Sequence, residues 1–224
     1  MDWSSFDENY GKLKNVLRDL IRNGKDKHKL DVYESFRNYE PEIKIIVKRI
    51  EEETREYINL SKKILEIADT GEDPDDKLVD DFLRHFSLIR LDIKSFFIFT
   101  RIFIDTLAKI ARLRFGDKWR EQLPPTMKDL LKHEKFSTLD PDFAEGFRNK
   151  MSWMTTFIET RDEIMHHLGS IQRYTIIEGE FGFRIHGSTF RKNGEFLRTK
   201  DMTEILSNLS EVISFIYIKF RFLD

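Results

Sequence analysis

The chain has 224 residues, 40% of them hydrophobic and 35% charged, with a formal net charge of −2 and no cysteine. This balance excludes a disordered chain and fits one domain, or one domain with an appendage. Without cysteine there are no disulfides, thiolate metal sites or cysteine nucleophiles, and the near-neutral charge disfavours a nucleic-acid surface larger than a local patch.

Twenty phenylalanines make aromatic packing the expected source of much of the core. Residues 5–22 read as a helix with the short apolar stripe Val16, Leu17, Leu20 and Ile21, ending near Asn23-Gly24. The charged run Lys25 to Lys29 reads as a solvated loop. Pro41 fits the first turn of a second helix that runs to about Ala68 on Ile43, Ile46, Val47, Ile50, Tyr57, Ile64, Leu65 and Ile67. Gly71, Asp73 and Pro74 end it.

A third, very long helix is expected over residues 75–115, stopped by Gly116. From Leu88 onward it is apolar around most of its circumference, which suits a central position in a bundle. Leu88 to Ile110 is about as long as a membrane span. Arg90, Asp92, Lys94, Arg101 and Asp105 interrupt it, so a buried helix is expected and no membrane partner. The N-terminus, Met1-Asp2-Trp3-Ser4-Ser5, lacks a signal pattern, which makes the cytoplasm the expected location.

After Pro124-Pro125 comes a short helical piece, Thr126 to His133, and then a fourth long helix from about Asp142 to Leu168, with Gly169 as its stop. Residues 172–199 read as a small β-ribbon with a tight turn at Asn193-Gly194, and the last helix spans about Asp201 to Phe222. The fold class is therefore mainly α, an antiparallel helical bundle with a small β-ribbon between the last two helices. The expected organisation is a helix and loop over 1–40, a bundle over 42–170, and a ribbon and final helix over 171–224 in the same domain.

The most specific chemistry lies in Arg161-Asp162-Glu163-Ile164-Met165-His166-His167. Arg161 falls on the seam Met154, Phe157, Arg161, Ile164 and Leu168, where a guanidinium is costly unless it is paired or faces a cavity. His166 lies about 7.5 Å farther along the ideal helix axis and about 140° around it, so the two side chains flank one edge. Asp162 and His166 are four apart, a spacing at which the carboxylate orients the ring. An arginine holding a phosphate beside an imidazole moving a proton suits RNA cleavage by its own 2′-hydroxyl, with no metal or other cofactor. A second Arg/His spacing of this kind, Arg22 and His28, crosses a glycine-containing stretch with no regular element to fix it.

The R-x(4–6)-H pattern of Arg161 and His166, with a polar residue directly after the arginine, resembles that of the HEPN superfamily. The stretch Ser95 to Ala108, with Phe96, Phe97, Phe99 and Phe103, is similar to the apolar partner helix of HEPN-like proteins. The resemblance covers roughly residues 42–170. It implies a helical bundle forming a homodimer whose two Arg–His sets meet in a cleft, and RNase activity of the toxin and defence type, although some relatives are non-catalytic. By carry-over, Arg161 contacts the scissile phosphate, His166 is the general acid/base, Asp162 orients the site and His167 is the alternate histidine. RNA is the implied partner, with an antitoxin or a nucleotidyltransferase as a separate chain. Residues 171–200 carry six basic residues against three acidic ones, interleaved with Tyr174, Phe181, Phe183, Phe190 and Phe196. That composition suits RNA stacking, or equally a half-buried hairpin with an ordinary outer face.

Two other readings compete. Glu163-x-x-His166 has di-iron spacing but no second copy, and His85 joins the two histidines only if the fold brings it there. Walker, Rossmann, zincin and nucleotidyltransferase patterns are absent. The stronger rival is a non-catalytic helical RNA-binding or protein-interaction module. There Arg161 is a structural residue ion-paired with Asp92 or Asp105, while Arg101 and Asp105 form an i,i+4 pair.

Overall fold

The computed structural model describes residues 3–22, 26–166, 171–177, 180–185 and 196–221, and the chain is mainly helical. The long helices are α1 (Ser4–Arg22), α2 (Lys27–Asp69) and α3 (Asp76–Leu113). Short α4 (Gly116–Arg120), α5 (Met127–Lys132) and α6 (Glu134–Leu139) follow, then α7 (Pro141–Lys150), α8 (Met154–His166) and, at the C-terminal end, α9 (Thr199–Arg221). Between α8 and α9, backbone pairing joins β1 (Ile171–Ile177), β2 (Glu180–Ile185) and β3 (Phe196–Arg198) antiparallel in that order, with an irregularity between Gln172 and Tyr174. Gly169 and the Asn193-Gly194 turn lie outside the described residues. Two compact units emerge, one built from residues 1–40 and 101–224 and the other from residues 41–100.

The start of α2 corrects two sequence expectations. Lys27 to Lys29 are helical rather than loop, because Asp26 caps the helix: its Oδ1 accepts the N–H groups of His28 (2.9 Å) and Lys29 (3.4 Å). The helix also continues through Pro41 instead of beginning there. An interior proline costs about 3 kcal/mol. Val32, Phe36, Tyr39 and Ile43 form a stripe at four- and three-residue spacings that runs past Pro41, each 3% exposed or less. At about 1.5–3 kcal/mol for each buried side chain, that stripe outweighs the proline penalty.

Within the 41–100 unit, α2 and α3 run antiparallel. Arg49 meets Asp92 (3.0 Å), Glu53 meets His85 (2.5 Å), and Tyr57 stacks on Phe82 (4.5 Å between centroids). Residue numbers thus fall along one helix as they rise along the other. The reversal uses Gly71 at φ +77°, a conformation that strains a side chain with a Cβ. Asp75 then caps α3 by accepting the N–H of Leu78 (2.8 Å).

In the other unit, α1 buries Phe6, Tyr10, Leu13 and Leu17, a single face at helical spacing. Asn9 on α1 donates to the Ser210 hydroxyl on α9 (3.0 Å). Tyr10 stacks on Phe36 (4.4 Å) and its hydroxyl donates to the Phe36 carbonyl. A second aromatic cluster joins Phe136, Phe143, Phe147 and Phe215, so that α6, α7 and α9 share one core. Arg114 ties this core together, pairing with Asp140 (2.8 Å) and donating to the Lys219 carbonyl. Asp140 in turn caps α7 through the N–H of Phe143 (3.0 Å).

The helix expected over 142–168 is two helices, which corrects a third expectation. At Met151 (φ −100°, ψ 10°) the backbone leaves helical geometry, and α8 starts at Met154. The Trp153 indole N–H donates to the Lys150 carbonyl at 2.9 Å, occupying an acceptor that a continuous helix would give to the N–H of residue 154. Nothing in the sequence marks this break, since it contains neither glycine nor proline.

Candidate functional site

Residues on α8 reach the surface in a pattern set by the break at Met151. Met154 (6% exposed), Phe157 (3%) and Ile164 (0%) form the inner face. Arg161 lies on the same seam, yet its side chain keeps 30% exposure. Its Nη1 donates to Asp162 Oδ1 at 2.7 Å. Its Nε is shielded from solvent and has no hydrogen-bond partner among the described residues. An unpaired buried donor is costly.

The sequence-derived residues separate into groups. Arg161 and Asp162 are together. Arg101 and Asp105 are paired at 3.5 Å, with Asp105 also accepting the N–H of Met127 (2.8 Å), so it orients the start of α5. Arg101 Nη1 is another shielded donor without a partner among the described residues. Asp92, 2% exposed, takes Arg49 as its ion-pair partner, and its Oδ2 accepts nothing among the described residues. Burial pushes its carboxyl above the ordinary range. Arg49 opposes that shift, and nearby Glu53 adds to it. His166 is the last residue of α8, but its side chain and the whole of His167 lie outside the described residues, so the Asp162–His166 contact does too. The structural reading expects Arg161 to pair with Asp92 or Asp105; Asp92 pairs with Arg49, Asp105 with Arg101, and the ion pair described for Arg161 is with Asp162. His85 contacts Glu53.

Beside α8 lies a groove of about 470 Å³ that sequence reasoning missed. Lys128, Leu131 and Lys132 of α5 form one wall, and Thr155, Ile158, Glu159 and Asp162 of α8 form the other. Met151, Ser152 and Met154, from the break between α7 and α8, complete it. The available signal was a pair of lysines four apart beside an apolar residue, too common to single out without the partner wall.

Another cluster gathers Asp26, His28, Arg112 and Arg120. Arg120 pairs with Asp26 (2.8 Å) and Asp117 (2.9 Å), while Arg112 donates to the Arg120 carbonyl. The Arg120 hydrogen bond holds the Asp26 carboxyl below its usual range against the opposing effect of burial. Burial, then Arg120 and Arg112, push the His28 imidazole below its usual value. Both arginines here are held by protein groups, and the cluster ties α4 to the start of α2; the buried His28 Nε2 has no hydrogen-bond partner among the described residues. No group of three or more histidine or acidic side chains able to hold a metal occurs among the described residues, and no described helix is long and apolar enough to cross a membrane.

No protein-family model, no curated protein and no solved structure matches the chain. The site's chemistry therefore rests on its own residues.

Proposed function

We propose that the protein is a HEPN-like, metal-independent endoribonuclease of the toxin or defence type, acting as a homodimer. In this reading the 2′-hydroxyl attacks the adjacent phosphorus, His166 moves the proton, and Arg161 balances the charge that develops on the phosphate oxygens. Asp162 holds the guanidinium, and His167 is the alternate proton carrier. The segment between α8 and α9 adds basic and aromatic residues for RNA stacking.

One observation carries the reading. Arg161 sits on an apolar seam, 30% exposed, and among the described residues its ion-pair partner is the adjacent Asp162 while its shielded Nε has no acceptor. A purely structural arginine at such a position would be expected to spend its donors on a neighbouring element, as Arg114 does on Asp140 and the Lys219 carbonyl. The test is the chemistry of the product ends. Attack by the 2′-hydroxyl breaks the bond to the 5′-oxygen and leaves a 2′,3′-cyclic phosphate and a 5′-hydroxyl. A 5′-phosphate product would refute the mechanism.

A non-catalytic interaction module is favoured by a different observation. In the 41–100 unit, Ile45 (59% exposed), Leu65 (64%), Leu83 (51%) and Leu91 (56%) present large apolar side chains to solvent. Absence of any cleavage by the purified protein would select this reading.

A further inference from the structure

The groove beside α8 has a use that the Arg161 chemistry does not absorb. Lys128 and Lys132, four apart, share one face of α5; both are exposed, and neither has an ion-pair partner among the described residues. Facing them, Glu159 is exposed and likewise unpaired. Between the charged walls, Met151, Met154 and Ile158 offer a thioether and aliphatic floor. A volume of about 470 Å³ lies in the range of small-ligand sites, about 300–1,000 Å³. Asp162 belongs both to this groove and to the Arg161 pair, so the two features adjoin.

These features describe a ligand that is anionic at one edge, flat and apolar in the middle, and rich in hydrogen-bond donors at the other edge. We propose that the groove binds one nucleotide of single-stranded RNA. Placing that nucleotide next to the scissile phosphate rests on the Arg161 reading; its binding does not. Lys128 and Lys132 neutralise backbone phosphate. Ile158, the more exposed part of the apolar lining, packs against the base, with the largely buried Met151 and Met154 completing that lining. The Glu159 carboxylate accepts from an exocyclic amine, which favours cytosine, adenine or guanine over uracil.

The probes are fluorescent 2′-O-methyl oligocytidine and oligouridine ten-mers, which have no free 2′-hydroxyl to attack. Their binding to the full chain is read by anisotropy between 50 and 200 mM salt. For single strands each phosphate contact contributes about 0.7 to the slope of log K against log salt. Replacing both lysines (K128Q/K132Q) is expected to make the slope shallower by about 1.4 and to weaken binding about 25-fold at 0.1 M salt. Glu159→Gln is expected to leave the slope alone and narrow the preference for oligocytidine. Both sets of substitutions are at exposed positions, and a thermal melt verifies the fold. Unchanged slope and affinity in K128Q/K132Q, or no wild-type binding at 0.1 mM oligonucleotide, would overturn the proposal. Lysine-dependent binding without any cleavage would remove the RNase reading alone. Arg161-dependent cleavage with lysine-independent binding would remove the groove alone.

Discussion

Glycine 146 gives a sharp test of how α7 meets α9. In an exposed helix interior, Gly→Ala stabilises by about 0.8–1.0 kcal/mol, because alanine loses less backbone entropy. At Gly146 the added Cβ would lie 2.8 Å from both Cε2 and Cζ of Phe215, closer than real Cβ atoms approach. The ring cannot yield freely, since it stacks on Phe143 (5.5 Å, 16°) and Phe147 (6.3 Å, 24°). Overpacking of this kind costs about 1–3 kcal/mol. The balance makes Gly146→Ala destabilising by about 1 kcal/mol, or about 2–4 °C in Tm for a chain of this size. In a Phe215→Leu background the obstruction is gone, and the same change should stabilise by about 1 kcal/mol. The expected coupling, about 2 kcal/mol, lies within the range for residues in contact. Denaturation of the four proteins of this cycle measures it. Equal stabilisation by Gly146→Ala in both backgrounds would refute the packing argument.

Two further substitutions test the charge network. The raised pKa of Asp92 means that the folded state resists its ionisation, so stability falls as pH rises from the unfolded-chain pKa of about 3.9 through the higher folded value. Asp92→Asn should thus raise stability at pH 7, with the advantage shrinking in acid, because the Arg49 left behind is 47% exposed and can be solvated; a large loss of stability at pH 7 would contradict this. Asp26 has the opposite sign: its depressed pKa gives stability that is present above about pH 3.9 and lost as pH falls through the folded value. Asp26→Ala should cost about 0.5–2 kcal/mol at pH 7 through the lost helix cap, with the gap to wild type closing in strong acid when followed by urea denaturation.

Long periodic helices were legible in the sequence because one face of each is apolar at helical spacing. The long apolar run of α3 is of this kind; in α1 the helix was legible but its inner face was not, since the stripe Val16, Leu17, Leu20 and Ile21 shares only Leu17 with the buried set Phe6, Tyr10, Leu13 and Leu17, and Leu20 is 37% exposed. The start of α2 was misread because Pro41 is a strong local signal, whereas the stripe Val32, Phe36, Tyr39 and Ile43 that overrides it is spread over twelve residues among charges. The break between α7 and α8 depends on an indole donating to a backbone carbonyl, which spacing alone does not show. For the candidate site, the seam position of Arg161 was legible from periodicity. Its pairing with the adjacent Asp162 was not, because adjacent residues on a helix ordinarily point apart. The groove needed α5 and α8 to be placed side by side, a long-range fact with no local trace.

The most direct measurement of the central claim is RNA cleavage by the purified chain in EDTA, comparing wild type with Arg161→Ala and His166→Ala. Losing the cation at the phosphate should reduce the rate by about 10²–10³-fold, and losing the proton carrier by about 10²–10⁴-fold, with chelation leaving wild type fully active. Cleavage that persists in both variants, or that disappears from wild type on chelation, would contradict the Arg161/His166 account.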